Sequence, residues 1–496
     1  MSADVVVVGA GPAGLAAAVT AAEGGTKVIV LEKTAAIGGT GLLGAFGLLA
    51  ADSKLQKEAG KKVPVDGVFK EWMDYTHWFA DANIVRAYIQ KSASTIDWLI
   101  AHGMDLRLSP PAQKTHMNGY WTYHAFKDYS KKPDYFKNLQ TAAANKGAQF
   151  LLETPADSLI TDANGNVTGV TAKKKDGTVL NISAKAVIVA TGGYGGNPDM
   201  VKEKLSGDKQ AVNLFGVSFT SGDGIKMAWK AGAAKGDSIL QLHGTTIPPE
   251  LMAKLGDKKI PDLSSVLNLC SYPYVDPAGR RFVNEDVNYD TALVANVTYA
   301  QGDHIFILLS GNMVNALMTK GARALGNYDS PARIAGVPLV PDLDKPWTGL
   351  QTDLDNAVAA GFAFKGQTLD ELAKASGMDA KILTETINRY NELCKKGVDE
   401  DFKKDPKLMY PLTEGPYYAV MQRASYLTAA GGVKIDDKTE ALNSKGVPIP
   451  GLYVAGNDAS GLYGDSYVLL EGGTLGWAFN SGRIAGENAV KYVTAK

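Results

Sequence analysis

Residues 4–33 read DVVVVGAGPAGLAAAVTAAEGGTKVIVLEK, and this stretch decides the fold. The β-branched run at 4–8 suits a parallel strand buried on both faces. The glycines of GAGPAG (9–14) then open a helix of small residues at 13–23, and KVIVLEK (27–33) reads as a second strand. Strand, glycine turn, helix and strand make a βαβ unit of the dinucleotide-binding kind. Gly9 permits the tight turn, Gly11 lets backbone approach a pyrophosphate, and Gly14 lets the helix pack close to the sheet. Pro12 and Ala13 begin the helix, whose free N–H groups and partial positive charge face the phosphates. Glu32, with Lys33 beside it, ends the second strand, where a carboxylate holds ribose hydroxyls and disfavours a 2′-phosphate. The uncharged run from Val5 to Ala22 has the length of a membrane span or signal sequence, but Asp4 flanks it and its glycines fall at phosphate-loop positions. No membrane span is expected, and the chain reads as cytoplasmic, or exported if a signal sequence has been removed.

The rest of the chain sets bounds. A length of 496 residues favours two domains sharing a cleft. A net charge of −1 gives no general affinity for nucleic acid or anionic membrane. Cys270 and Cys394 are too few for an iron–sulfur cluster, and the six histidines lack metal-binding spacing, so no metal is expected. Residues 66–105 read as mainly helical, and 109–136, rich in Pro, Tyr and His, as irregular. Strand patterns return at 149–153, 157–162, 166–174 and 184–193. Residues 240–415 break this rhythm, with a helix near 368–396 opened by a capping box at Thr368–Glu371. A strand at 451–456 and a helix at 474–493 resume it. The expected architecture is α/β: a Rossmann-type domain, 1–239 and 416–496, with an inserted α+β capping (substrate) domain at 240–415.

Further glycine turns choose the dinucleotide. IGGTG (37–41) offers the N–H groups of Gly38, Gly39 and Gly41 and the hydroxyl of Thr40. ATGG (190–193) adds Thr191, Gly192 and Gly193; SGDG (221–224) adds Asp223; AGND (455–458) adds Gly456 and Asn457. Glycine turns scattered over nearly the whole chain suit a long, bent flavin dinucleotide better than NAD, so FAD is expected.

The set GAGPAG, LEK, GGTG, ATGGYGGN, SGDGIKMA, GRRFVNE, GLYVAGN and GGTLGWAFNSGRIAGE resembles the fumarate reductase/succinate dehydrogenase flavoprotein superfamily, in order and over almost the whole chain. The resemblance implies an FAD domain with an inserted cap, and redox chemistry at a carbon–carbon bond beside an electron-withdrawing group. It adds Ala156, Gly473, Thr474 and Leu475 to the cofactor residues. Members in membrane complexes attach FAD through a histidine after the GG turn; residues 40–50, TGLLGAFGLLA, have none, so FAD is expected to be non-covalent.

The departures concern the substrate. Fumarate reductases clamp a dicarboxylate with arginines. Tyr289 stands where the arginine after RFVNE is found, Tyr467 where a second arginine is found, and Thr428 where a histidine is found. His243 alone matches a carboxylate-contacting histidine. The two tyrosines resemble those of 3-ketosteroid Δ1-dehydrogenases and related cyclic-ketone dehydrogenases. That resemblance implies Tyr289 as acid/base, and Tyr467 with the Gly472 N–H as hydrogen-bond donors to a ketone oxygen. A free tyrosine has a pKa near 10, so action as a base needs help, for which Tyr120, Tyr123 and Tyr463 are candidates. Arg281 and Glu285 read as braces for the loop carrying Tyr289. The expectation is interconversion of a neutral carbonyl compound and its α,β-unsaturated form, in either direction. The electrons would pass through an external carrier: a quinone, a redox protein or a reduced flavin. Two alternatives stand beside it, a reductase of a conjugated carboxylic acid of the acrylate, urocanate or cinnamate type, and a non-catalytic flavin-binding module.

Overall fold

The computed structural model describes residues 1–43, 46–111, 119–205, 211–327, 342–464, 467 and 470–495. The chain forms two compact units: residues 1–204, 216–241 and 427–496, and residues 205–215 with 242–426.

In the first unit, Val5–Val8 pairs in parallel with Val28–Leu31 on one side and with Ala186–Val189 on the other. Neighbours on both edges and helices on the faces leave no solvent side, which is why this run carries no polar alternation; Val5, Val6 and Val7 are 0% exposed. Outward from this centre lie Gln149–Leu151 beyond Val28–Leu31, and Pro448–Val454 then Glu440–Leu442 beyond Val179–Val189. The hairpin Ala156–Thr161/Val167–Lys173 joins the long strand Val179–Val189. The helix Pro12–Glu23 packs on the C-terminal helix Gly473–Thr494. That approach needs small residues: a Cβ on Gly482 would stand 2.2 Å from the Ala13 carbonyl oxygen.

One expectation about elements is borne out, the mainly helical reading of 66–105, and two are corrected. Residues 66–105 form two helices, Val65–Tyr75 and Ala82–Ala101, the second started by the Asp81 carboxylate accepting from Asn83 and Ile84 N–H. Residues 109–136, read as irregular, hold the strand Tyr123–Phe126 and the start of the helix Lys132–Asn145. That strand is made by partners distant in sequence, Gly47–Leu49 and Leu106–Leu108. The helix near 368–396 is two, Leu369–Ser376 and Ala380–Lys396, broken at Gly377 with φ +80°. Thr368 accepts from Glu371 N–H as a cap should, but the Glu371 carboxylate takes the Gln367 N–H, so the box is not reciprocal.

In the second unit, Tyr417–Tyr426 is the spine, antiparallel to Ile305–Leu309 and to Ala363–Gly366. Asn213–Leu214 pairs in parallel with Ser425–Tyr426, which is why 205–215 belongs here although the sequence reading placed it with the first domain. This unit ends near Tyr426 rather than 415 because its spine is one continuous strand, Tyr417–Val433, within which the chain passes to the first unit. Helices such as Pro261–Leu269, Gly311–Lys320 and Leu350–Ala360 bury their apolar faces in its core.

Candidate active site

Four strand ends in the first unit bring the glycine turns together. Gly9 N–H donates to Leu31 O, Ala190 N–H to Val8 O, Ala455 N–H to Val189 O and Gly38 N–H to Ala10 O. Gly9 has φ +104°, and a Cβ there would meet Ala190 O at 2.3 Å. A Cβ on Gly14 would stand 1.9 Å from Gly9 O, the close helix–strand contact expected of that glycine. Gly11 is different: a Cβ there meets nothing within 4 Å, so its backbone faces open space. Pro12 and Ala13 form the first turn of the helix beside it. Gly39, Thr40 and Gly41 lie in a short 3-10 turn; a Cβ on Gly39 would come 3.5 Å from Gly11 Cα.

Glu32, expected to hold the ribose, accepts from Ala10 N–H at 2.9 Å and from Thr34 N–H at 2.8 Å. Its carbonyl accepts from Thr154 N–H, two residues before Ala156. Lys33 and Asp223, each read as a cofactor residue, bind one another at 2.7 Å, and Lys33 also donates to Ser221 Oγ at 2.7 Å. Burial would raise the Asp223 carboxyl, but hydrogen bonds from Lys33 and Ser221 outweigh it and hold the pKa below the ordinary value.

The ATGG and AGND turns are joined by Asp458, which the sequence reading did not single out. Its carboxylate is 0% exposed and accepts from Gly193 N–H at 2.8 Å, Thr191 N–H at 2.5 Å and Thr191 Oγ1 at 2.9 Å. Burial raises its pKa, against the lowering effect of these bonds. Lys132 was also missed: 1% exposed, it donates to the Leu43 carbonyl at 2.5 Å beside the GGTG turn, and desolvation lowers its pKa to about 8. The adjacent turn is a signal for Asp458, since facing N–H groups need an acceptor, whereas Lys132 reads as one more lysine on a helix.

The cradle fits a flavin dinucleotide. It offers open space over Gly11, a helix N-terminus, the Glu32 carboxylate, and the Asn457 Oδ1, buried with no hydrogen-bond partner among the described residues. A buried acceptor left over after the protein bonds are made calls for a donor from outside the protein, and FAD can supply one.

In the same unit, Gly472 has φ +75° and caps the helix Gly473–Thr494; its carbonyl accepts from Leu49 N–H at 3.1 Å, and a Cβ would stand 2.5 Å from Leu48 carbonyl carbon. Gly473, Thr474 and Leu475 form the first turn of that helix, with Tyr88 Oη donating to Gly473 O at 2.8 Å. Tyr467 is half-buried, its ring edge-on to Tyr463 with centroids 5.4 Å apart. The Thr474 hydroxyl touches both phenols: it bonds the Tyr463 Oη closely and donates to the Tyr467 Oη at 3.5 Å. Tyr463 in turn stacks on Trp72, whose indole N–H donates to Leu462 O at 2.9 Å. Tyr463, one of the candidate helpers for Tyr289, is thus a neighbour of Tyr467. Asp465 and Ser466, just before Tyr467, lie outside the described residues.

Tyr289 and His243 stand in the second unit. Tyr289 ends the short turn Glu285–Tyr289. Beneath that turn is a buried ion network: Arg281 binds Glu285 through Nε at 2.6 Å and Nη2 at 2.8 Å, and Asp399 at 2.6 Å; Lys404 Nζ lies 3.1 Å from Glu285. Burial, then the carboxylates of Asp290 and Asp286, raise the Tyr289 pKa, so this phenol holds its proton at neutral pH rather than acting as a ready base. His243 lies in the strand Lys235–Thr246, its carbonyl accepting from Ser425 Oγ at 2.7 Å, and desolvation lowers its imidazole to about 4. It is neutral at physiological pH, which suits a hydrogen-bonding rather than a carboxylate-pairing group.

The family model described as FAD binding domain matches residues 4–475. The chain is 33% identical, over 99% of its length and 96% of the other, to the vinyl phenol reductase of Lactiplantibacillus plantarum. It is 30% identical, over 99% of its length and 77% of the other, to the fumarate reductase (cytochrome) of Shewanella frigidimarina. Among solved structures it matches the 3-ketosteroid delta1-dehydrogenase from Sterolibacterium denitrificans in complex with 1,4-androstadiene-3,17-dione, with a TM-score of 0.75, 20% identity and 99% of both chains covered, a likeness of fold.

Proposed function

The chain belongs to the FAD binding domain family and is an FAD-dependent oxidoreductase of carbon–carbon single and double bonds, and from that premise we propose that it reduces the double bond of a neutral compound whose alkene is conjugated with an oxygen. The observation that carries this reading is the state of the cations. Phenols stand at 289 and 467, and each described arginine of the second unit is already paired: Arg280 with Asp276, Arg281 with Glu285 and Asp399, Arg323 with Asp344, Arg389 with Asp401, Arg423 with Asp303. A carboxylate substrate brought to such a site would forgo charge-assisted hydrogen bonds of roughly 1.5–3 kcal/mol each. The vinyl phenol reductase relative, matched over nearly its whole length, acts by its name on a substrate without a carboxylate.

Bound FAD supplies the hydride. Tyr467 donates a hydrogen bond to the substrate oxygen, drawing electron density away from the alkene. Tyr289, a phenol protonated at neutral pH and kept so by burial and two carboxylates, gives a proton to the alkene carbon that does not receive the hydride. The vinyl phenol reductase and fumarate reductase relatives are reductases by name, which supports reduction as the working direction, and the same groups serve desaturation in reverse. His243 lends a neutral hydrogen-bonding edge, the Gly472 N–H supports Tyr467 at the oxygen, and electrons come from an external carrier: a quinone, a redox protein or a reduced flavin.

The test is substrate class. Dithionite-reduced enzyme is mixed anaerobically with a cyclic enone and 4-hydroxystyrene, and separately with fumarate, urocanate and cinnamate. Flavin reoxidation by the neutral compounds is expected. Reoxidation by the carboxylates alone contradicts the reading and transfers it to the conjugated-acid reductases.

A further inference from the structure

The loop of residues 397–405, GVDEDFKKD, has the charge density of a solvated surface, and part of it is one: Glu400 and Asp401 are exposed and pair with the exposed Arg389. Asp399 and Lys404 do the opposite. They are 1% and 2% exposed and turn inward to the network around Glu285. Asp399 closes its own loop by accepting from Phe402 N–H at 3.0 Å and Lys404 N–H at 3.2 Å, while its Oδ2 takes Arg281 Nη2 at 2.6 Å. Lys404 Nζ donates to Ser271 O at 2.5 Å and stands 3.1 Å from Glu285. Between these two, Lys403 holds φ +60°, a left-handed conformation that lysine rarely adopts. Its carbonyl accepts from Asn284 Nδ2 at 3.2 Å.

Asn284 is where the loop meets the turn that ends at Tyr289. Its Oδ1 accepts from Asp286 N–H at 2.9 Å and caps the turn Glu285–Tyr289, so one side chain both starts the turn and ties it to Lys403. At the far end Asp290 accepts from Ala292 and Leu293 N–H and starts the helix Thr291–Ala300. Tyr289 is therefore carried on five residues pinned at both ends. Buried ion pairs gain little stability over an apolar core of the same volume, and their best-attested use is to select a single register.

Resting on the reading of Tyr289 as the proton donor, we propose that residues 399–404 are a positioning element for that donor. Asp399 and Lys404 lock the loop to Arg281 and Glu285, and the Lys403 carbonyl, through Asn284, sets where the turn carrying Tyr289 begins. None of these groups passes a proton to the substrate. They set the distance and angle at which Tyr289 delivers its own, and a misplacement of about 1 Å can cost on the order of 100-fold in rate.

The test uses Asn284→Ser, which keeps a neutral capping oxygen and lacks the amide that reaches Lys403. Dithionite-reduced holoenzyme is reoxidised anaerobically by cyclohex-2-enone over a range of concentrations in wild type, Asn284→Ser, Tyr289→Phe and the double variant. Limiting rate per bound flavin and apparent Kd are read separately, with the urea midpoint alongside. The limiting rate should fall about 10- to 100-fold in Asn284→Ser with Kd unchanged. In the Tyr289→Phe background the same substitution should slow the reaction no further, because the group it positions is gone. A wild-type rate in Asn284→Ser, or an equal slowing with and without the Tyr289 hydroxyl, overturns the positioning role and leaves the loop a structural brace. A wild-type rate in Tyr289→Phe overturns the reading of Tyr289 itself, and the proposal with it.

Discussion

Replacing Asp458 with alanine tests whether the flavin cradle is held by one buried carboxylate. In the folded chain, that group receives two backbone N–H groups and a hydroxyl from Thr191 and Gly193, with no exposure to water. Bonds to a charged acceptor contribute roughly 1.5–3 kcal/mol each, so three of them give an upper bound of about 4.5–9 kcal/mol. The net is smaller, because burial raises the Asp458 pKa and so already opposes its ionisation. Water entering the vacated space would recover part of the rest. A loss of about 3 kcal/mol in the apoprotein is expected, measured by urea unfolding. Because the orphaned N–H groups lie in a turn that would face FAD, affinity for the cofactor should fall roughly 10- to 100-fold, read by quenching of flavin fluorescence. Asp458→Asn, which keeps one acceptor oxygen, should lie between. An Asp458→Ala protein with wild-type stability and wild-type FAD affinity would refute the reasoning.

Two other outcomes follow from buried charges. Arg281→Met removes the bidentate partner of Glu285, 0% exposed, leaving Lys404, 3.1 Å from it, to face that carboxylate, and should cost roughly 3–5 kcal/mol by urea unfolding. His124 is 0% exposed, and desolvation lowers its imidazole from 6.5 to about 4, so the unfolded chain binds the extra proton between those values. Stability should therefore fall as pH drops from 6.5 toward 4, by about 3 kcal/mol from this residue, and His124→Asn should flatten that slope, while His243 keeps its own share in the same window.

The cofactor half of the account was legible in the sequence because its signals are local. Val5–Val8, GAGPAG and Glu32 lie within one βαβ unit, and each glycine turn carries its own N–H groups. What was not legible depends on partners distant along the chain. Asp458 is an ordinary acid until Thr191 and Gly193, 267 and 265 residues away, are folded against it. Tyr123–Phe126 has no strand periodicity of its own and becomes a strand through two separate partners. The Thr474 hydroxyl meets Gln241, 233 residues away, and Tyr463, 11 residues away, a grouping no motif encodes. For Tyr289 the direction of the pKa shift was not readable: Asp286 and Asp290 stand beside it in sequence, and their effect depends on burial.

The most direct test of the central claim is anaerobic reoxidation of the reduced flavin by a neutral enone in wild type and Tyr289→Phe, with FAD content matched. Tyr289→Phe is expected to slow reoxidation about 100- to 10,000-fold, the usual contribution of a positioned general acid. Reoxidation at the wild-type rate in Tyr289→Phe would contradict it.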